Sequence, residues 1–157
     1  MKKTKEYRKA WESALRLLNY RERSIKELSD RLSEKHYSPG TITAVIKRLK
    51  ELDLLDDKKF ARLWTRSRVH SKPRSAWLIS RELREKGISE EVIQEVVEDE
   101  YTPEQEEEAA MSLAKKQAMR YRTDEPEKAR EKLFAFLSRR GFSSDLIWKC
   151  LEEVLTS

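Results

Sequence analysis

Two histidines, one cysteine and 29 carboxylates are the side chains with which this chain could do acid-base, nucleophilic or metal chemistry, and their spacing supports none of it. His36 stands at a helix stop and His70 in a basic segment. Neither has Cys, Asp or Glu around it at the spacing of a metal site or of a nucleophile, base and orienting acid. Gly40, Gly87 and Gly141 stand alone, so no glycine-rich loop exists to cradle a phosphate. Cys150 is the single cysteine and can form no internal disulfide, and the apolar helical pattern around it predicts a buried structural thiol in a reducing compartment. The carboxylates follow the exposed faces of helices. A protein that is not an enzyme, holds no cofactor or metal, and works by binding is expected.

The residues best suited to binding form a basic, aromatic stretch. From Lys58 to Lys86 there are ten basic and two acidic residues, whereas from Glu90 to Glu108 there are ten acidic and none basic. Arg62, Arg66, Arg68, Lys72, Arg74, Arg81, Arg84 and Lys86 are interleaved with Trp64 and Trp77, a combination that can grip phosphates or an acidic protein groove and stack on an exposed ring. A solvated face above tryptophans that serve as core has the same composition. Trp77 lies two positions from Ile79 and faces away from the Ile79/Leu83 stripe, which makes it the better surface candidate. The acidic run at Glu104, Glu106, Glu107 and Glu108 opens a helix, where negative charge suits the dipole.

These residues are positioned by a repeated helical unit. Ser75 to Val97, shifted back by 51 residues, falls on Ser24 to Ile46 with its apolar positions in register. Leu28, Leu32, Ile42, Val45 and Ile46 coincide with Ile79, Leu83, Ile93, Val96 and Val97, and 54 residues further on with Leu133, Leu137, Ile147, Cys150 and Leu151. The junction repeats as His36-Tyr37-Ser38, Gly87-Ile88-Ser89 and Gly141-Phe142-Ser143. Glycine takes the left-handed conformation that stops a helix, the apolar residue tucks into the core, and serine caps the next helix. His36 in place of glycine predicts a strained or differently shaped stop, and Pro39 suits a first helical position. Ser24 with Glu27 and Thr102 with Gln105 read as capping boxes. Ahead of each pair lies one more amphipathic segment, around Trp11, Ala14, Leu15 and Leu18, around Phe60, Ala61 and Trp64, and around Ala110, Met111, Ala114 and Ala118.

The architecture predicted is all-α, an elongated curved array of three tandem three-helix repeats at 1–54, 55–101 and 102–157, because units of some 50 residues must bury surface against their neighbours. The composition agrees: 40% charged against 38% apolar leaves one apolar stripe per helix, and three Gly with four Pro are too few for a sheet protein. The net charge of +5 is uneven, at +6, 0 and −1 for the three repeats. No apolar run approaches the roughly 18 residues that span a bilayer, and the start resembles no signal peptide, so a cytoplasmic protein is expected.

The middle unit resembles the RecX family. Leu54-Leu55-Asp56-Asp57 leads to Phe60-Ala61 and Trp64, then Arg68, Ser75, Ile79 and Glu82-Leu83-Arg84-Glu85-Lys86-Gly87-Ile88; the first unit adds Ala14-Leu15, Leu17-Leu18 and the Ser24 to Leu32 helix. The likeness in layout spans nearly the whole chain, the third unit keeping mainly its apolar skeleton. The resemblance implies a monomeric cytoplasmic regulator in DNA repair and the SOS response. Its partner would be the RecA recombinase filament on single-stranded DNA, with double-stranded DNA as a further candidate, and its effect would be to inhibit ATP hydrolysis, strand exchange and co-protease activity. Arg62, Arg66, Arg68, Arg74, Trp77, Arg81, Arg84 and Lys86 are the partner-binding residues expected under it. The alternative is a helix-turn-helix transcription regulator, with Ser38 to Leu55 as recognition helix and Thr41, Thr43, Lys47 and Arg48 outward.

Overall fold

The computed structural model describes residues 2–155, with side chains from Lys5 onward, and among these it contains nine α-helices, one 3₁₀ turn and no strand. In chain order the helices are α1 (Lys2–Tyr20), α2 (Ile25–Glu34), α3 (Pro39–Glu51), α4 (Asp57–Ser71), α5 (Ala76–Glu85), α6 (Glu90–Glu100), α7 (Pro103–Ala118), α8 (Pro126–Arg139) and α9 (Ser144–Leu155), with the 3₁₀ turn at Met119–Tyr121. The chain is all-α, in three successive triplets. Every residue of the three aligned apolar sets is buried except Ile46, which is half-buried. Of the helix-1 positions, Leu15 is exposed while Ala14 beside it is buried.

Each triplet's second helix ends by the same device. The N–H of the apolar junction residue reaches back five residues, from Tyr37 to the Leu32 carbonyl, Ile88 to Leu83 and Phe142 to Leu137, and the residue before it bonds a nearer carbonyl. The pattern requires a left-handed residue, supplied by Gly87 (φ 82°), Gly141 (φ 84°) and, without glycine, His36 (φ 70°). A fourth such stop, missed in the sequence, ends α3 at Asp53 (φ 57°), whose successor Leu54 bonds the Leu49 carbonyl. Both capping boxes form, at Ser24/Glu27 and Thr102/Gln105. Ser89 and Ser143 accept from the N–H groups of Val92 and Leu146, but Ser38 makes no such cap and donates instead to the Thr41 hydroxyl, 2.9 Å away. Thr41 is buried, not outward as a recognition helix would need, and α3 is followed by α4, not by a β-hairpin.

The joint between successive triplets also repeats. The first backbone N–H of the middle helix is capped by a carboxylate from the next triplet: Ile25 by Asp57 at 2.8 Å, Ala76 by Glu106 at 3.3 Å. The serine just before that helix meets the next triplet's junction, Ser24 Oγ donating to the Lys86 carbonyl at 2.7 Å and the Ser75 N–H to the Arg140 carbonyl at 2.9 Å. Hence glycine at the two junctions is doubly required. A Cβ on Gly87 would stand 2.6 Å from Lys26 Cβ, and one on Gly141 2.9 Å from Leu78 Cβ, in addition to the backbone strain. His36, at the first stop, is exposed.

By contacts the chain forms two compact units, Met1–Ala61 with Leu83–Ile93, and Arg62–Glu82 with Gln94–Ser157, which do not follow the triplet borders and share the middle triplet between them. In the first, α1, α2 and α3 enclose Ala10, Ala14, Leu28, Leu32, Ile42, Val45, Leu49 and Leu55. In the second, α7, α8 and α9 enclose Ala110, Ala114, Leu133, Leu137, Phe142, Ile147, Cys150 and Leu151. Fully burying one such Leu or Ile contributes roughly 1.5–3 kcal/mol. No helix among the described residues is long and apolar enough to cross a membrane.

Candidate binding surface

The basic stretch begins on α4, whose stripe of buried Phe60 and Ala61 and half-buried Trp64 turns Arg62 and Arg66 toward the acidic end of α6. Glu100 receives both. Arg66 grips it with two nitrogens, at 2.8 and 2.9 Å, and Arg62 Nη1 lies 3.0 Å from the same carboxylate and 2.7 Å from Asp99. A forked guanidinium on a carboxylate fixes direction as well as distance. Arg66 holds the Glu100 carboxyl below the usual range against the upward push of burial, and Arg62 adds to the lowering.

A second cluster gathers around Glu82 on α5. Its carboxylate accepts from Trp64 Nε1 at 3.1 Å and from Arg74 Nη1, and Arg68 Nε lies 3.5 Å away, beyond a good hydrogen bond. The Arg68 guanidinium instead stacks 4.2 Å above the Trp64 ring. Arg74 and Glu82 are largely buried, so their charges are screened far less than those of surface pairs.

Trp77 stands apart with 61% of its surface exposed and the Arg81 guanidinium 5.8 Å from its ring. Arg84 and Lys86 belong to the other compact unit: Arg84 forks onto Glu90, and Lys86 reaches Glu27 at 3.2 Å. Glu27 also accepts from Arg21 and from the Ser24 N–H. Burial pushes its carboxyl up, but Arg21, Ser24 and Lys86 together pull it down to about 2. The structure thus groups Arg62 with Arg66, Arg68 with Arg74, and Trp77 with Arg81. Trp64 joins the pair at Glu82, while Arg84 pairs with Glu90 and Lys86 shares Glu27 with Arg21.

No group of three or more His, Cys, Asp or Glu among the described residues could hold a metal ion. Cys150 is buried, which raises its thiol above the ordinary range and away from the nucleophilic thiolate. Sequence reasoning passed over one depression of about 300 Å³, lined by Arg130, Glu131, Phe134, Ala135, Trp148 and Leu151. Phe134 and Trp148 pack 5.3 Å apart. The signal was present, since each directly follows a stripe residue, Leu133 and Ile147, and widens the apolar face.

Comparison with known proteins places the same triplets in order. Residues 10–49 match the family model for the first three-helix domain of RecX, 56–97 that for the second and 104–151 that for the third. The regulatory protein RecX of Chlorobium phaeobacteroides (strain BS1) is 37% identical over 150 residues, 96% of each chain. That of Enterococcus faecalis (strain ATCC 700802 / V583) is 32% identical over 98% of this chain, which spans 58% of that longer relative. The crystal structure of RecX from Lactobacillus salivarius superposes with a TM-score of 0.84 at 28% identity, covering 98% of this chain and 99% of the other.

Proposed function

Because this chain belongs to the RecX family of regulatory proteins, we propose that it binds the RecA recombinase filament on single-stranded DNA and inhibits its ATP hydrolysis, strand exchange and co-protease activity. It does so from the cytoplasm, as a monomer and without chemistry of its own. The observation that carries this reading is the ordered match of all three triplets to the family's three domains along nearly the whole chain.

The geometry of the middle triplet suits a protein partner. Several of its arginines are not a diffuse positive patch: Arg62, Arg66, Arg74 and Arg84 are fixed beside Asp99, Glu100, Glu82 and Glu90, so a partner meets both signs there. Such a pattern selects a surface with complementary charges and disfavours a plain polyanion. Trp77, the exposed ring beside Arg81, is the apolar anchor a contact of this kind needs, since aromatic and Arg residues carry a large share of interface energy. Three linked triplets can engage several protomers of one filament, so weak contacts act together.

The test is DNA-dependent ATP hydrolysis by RecA with and without this chain. Inhibition is expected, and Trp77→Ala combined with Arg81→Glu weakens it at least tenfold with helicity intact. Unchanged hydrolysis at saturating protein ends the reading, and full inhibition by the double variant moves the contact elsewhere.

A further inference from the structure

We propose that the solvent face of α1, through Lys5, Arg8, Lys9 and Arg16, is a site for the phosphate backbone of nucleic acid. This face, not the basic stretch of the middle triplet, carries the electrostatic part of nucleic-acid binding. The proposal does not depend on the filament reading.

Helical spacing sets the face apart. Ala10, Ser13 and Ala14 are buried and Tyr7, Trp11, Leu17 and Leu18 half-buried, which leaves Lys5, Arg8, Lys9, Glu12 and Arg16 exposed on the far side. Among the described residues no carboxylate lies within ion-pair reach of these four cations. Glu12 is the one acidic residue on the face, and the other carboxylate of α1, Glu6, accepts from the Ser38 N–H at 2.6 Å. The first triplet also holds the chain's excess charge, +6 of a net +5 overall, while the middle triplet sums to zero.

The character of the face points to phosphate and away from protein. Its exposed ring, Tyr20 one turn past Arg16, can stack on a base, and Leu15 lies at its edge, so the face is otherwise cationic and poor in the clustered apolar anchors that give a protein interface its energy. Flexible, unpinned cations neutralise a diffuse polyanion without needing register. From Lys5 to Arg16 the helix rises about 16 Å, a length over which a duplex presents roughly ten phosphate charges.

The experiment measures binding of the full chain to fluorescent oligo(dT) and to a mixed-sequence duplex by anisotropy across a NaCl series. Lys9→Glu with Arg16→Glu is expected to weaken both about tenfold or more near 0.1 M salt and to flatten the log-log salt dependence by about two. Arg62→Gln with Arg66→Gln is expected to change affinity less than about threefold. Circular dichroism checks folding, and Lys9→Gln with Arg16→Gln gives an intermediate loss should the reversal fail to fold. The proposal is overturned by undiminished binding in the folded α1 variant, by a loss confined to the Arg62/Arg66 variant, or by no binding of the native chain at low salt. Poly-glutamate bound as tightly as oligo(dT) also overturns it, and assigns the face to an acidic protein.

Discussion

On α4 and α5 most arginines have a named carboxylate, whereas on the outer face of α1 Lys5, Arg8, Lys9 and Arg16 have none among the described residues. Both regions read as basic in sequence. The difference teaches that a run of positive residues measures what a segment contributes, not what its surface presents. The acidic end of α6 returns to α4 and pairs with Arg62 and Arg66, which no count along a window can register.

That contrast can be broken at several points. The largest effect is expected at Glu82: Glu82→Ala strands the largely buried Arg74 together with Arg68 and the Trp64 N–H, and lowers unfolding free energy by about 3 kcal/mol in urea titration. A loss below 1 kcal/mol would show that the middle cations are not structural ties.

Next comes Glu27, which joins a helix cap to Arg21 and Lys86. Glu27→Gln is expected to lower stability at pH 7 by about 1–2 kcal/mol. The same group gives acid sensitivity: it stays ionised in the folded chain down to about 2 but protonates near 4.3 when unfolded. Its contribution is complete above the unfolded value and disappears as pH falls through the folded one. Thermal melting from pH 5 to 2 should therefore fall less steeply for Glu27→Gln than for the native chain; parallel curves would remove Glu27 from the account.

Arg66→Gln should lower the melting temperature only slightly, by a difference that high salt erases, because half-exposed ion pairs are weak and screened. The smallest effect belongs to α1: Lys9→Glu with Arg16→Glu should shift melting by less than about 2 °C, since exposed positions without partners contribute little to folding. A large shift there would erase the distinction between the two regions.

Local rules and periodicity carried most of the fold. The spacing of Leu28, Leu32, Ile42 and Val45, repeated twice, identified the buried stripes, and Gly87 and Gly141 marked helix stops by backbone chemistry alone. Asp53 was missed because a left-handed stop without glycine leaves little compositional trace, and Ser38 was misread as a cap because its hydroxyl prefers Thr41. Thr41, outward only under the recognition-helix alternative, is buried. For the candidate site, Trp77 could be placed on the surface from its offset to Ile79. The partners of Arg62, Arg66 and Arg74 could not, because Glu100 lies 34 residues from Arg66 and only tertiary packing joins them.

The joint at Ser24 and Lys86 returns at Ser75 and Arg140, with a borrowed carboxylate, Asp57 or Glu106, seated on the helix start each time. A coupling used twice in one chain is a standard fitting. Duplicating a triplet needs no newly evolved interface, only glycine at the incoming stop and a serine ready to receive it, so a gene lengthened by one such module would inherit its connection ready made.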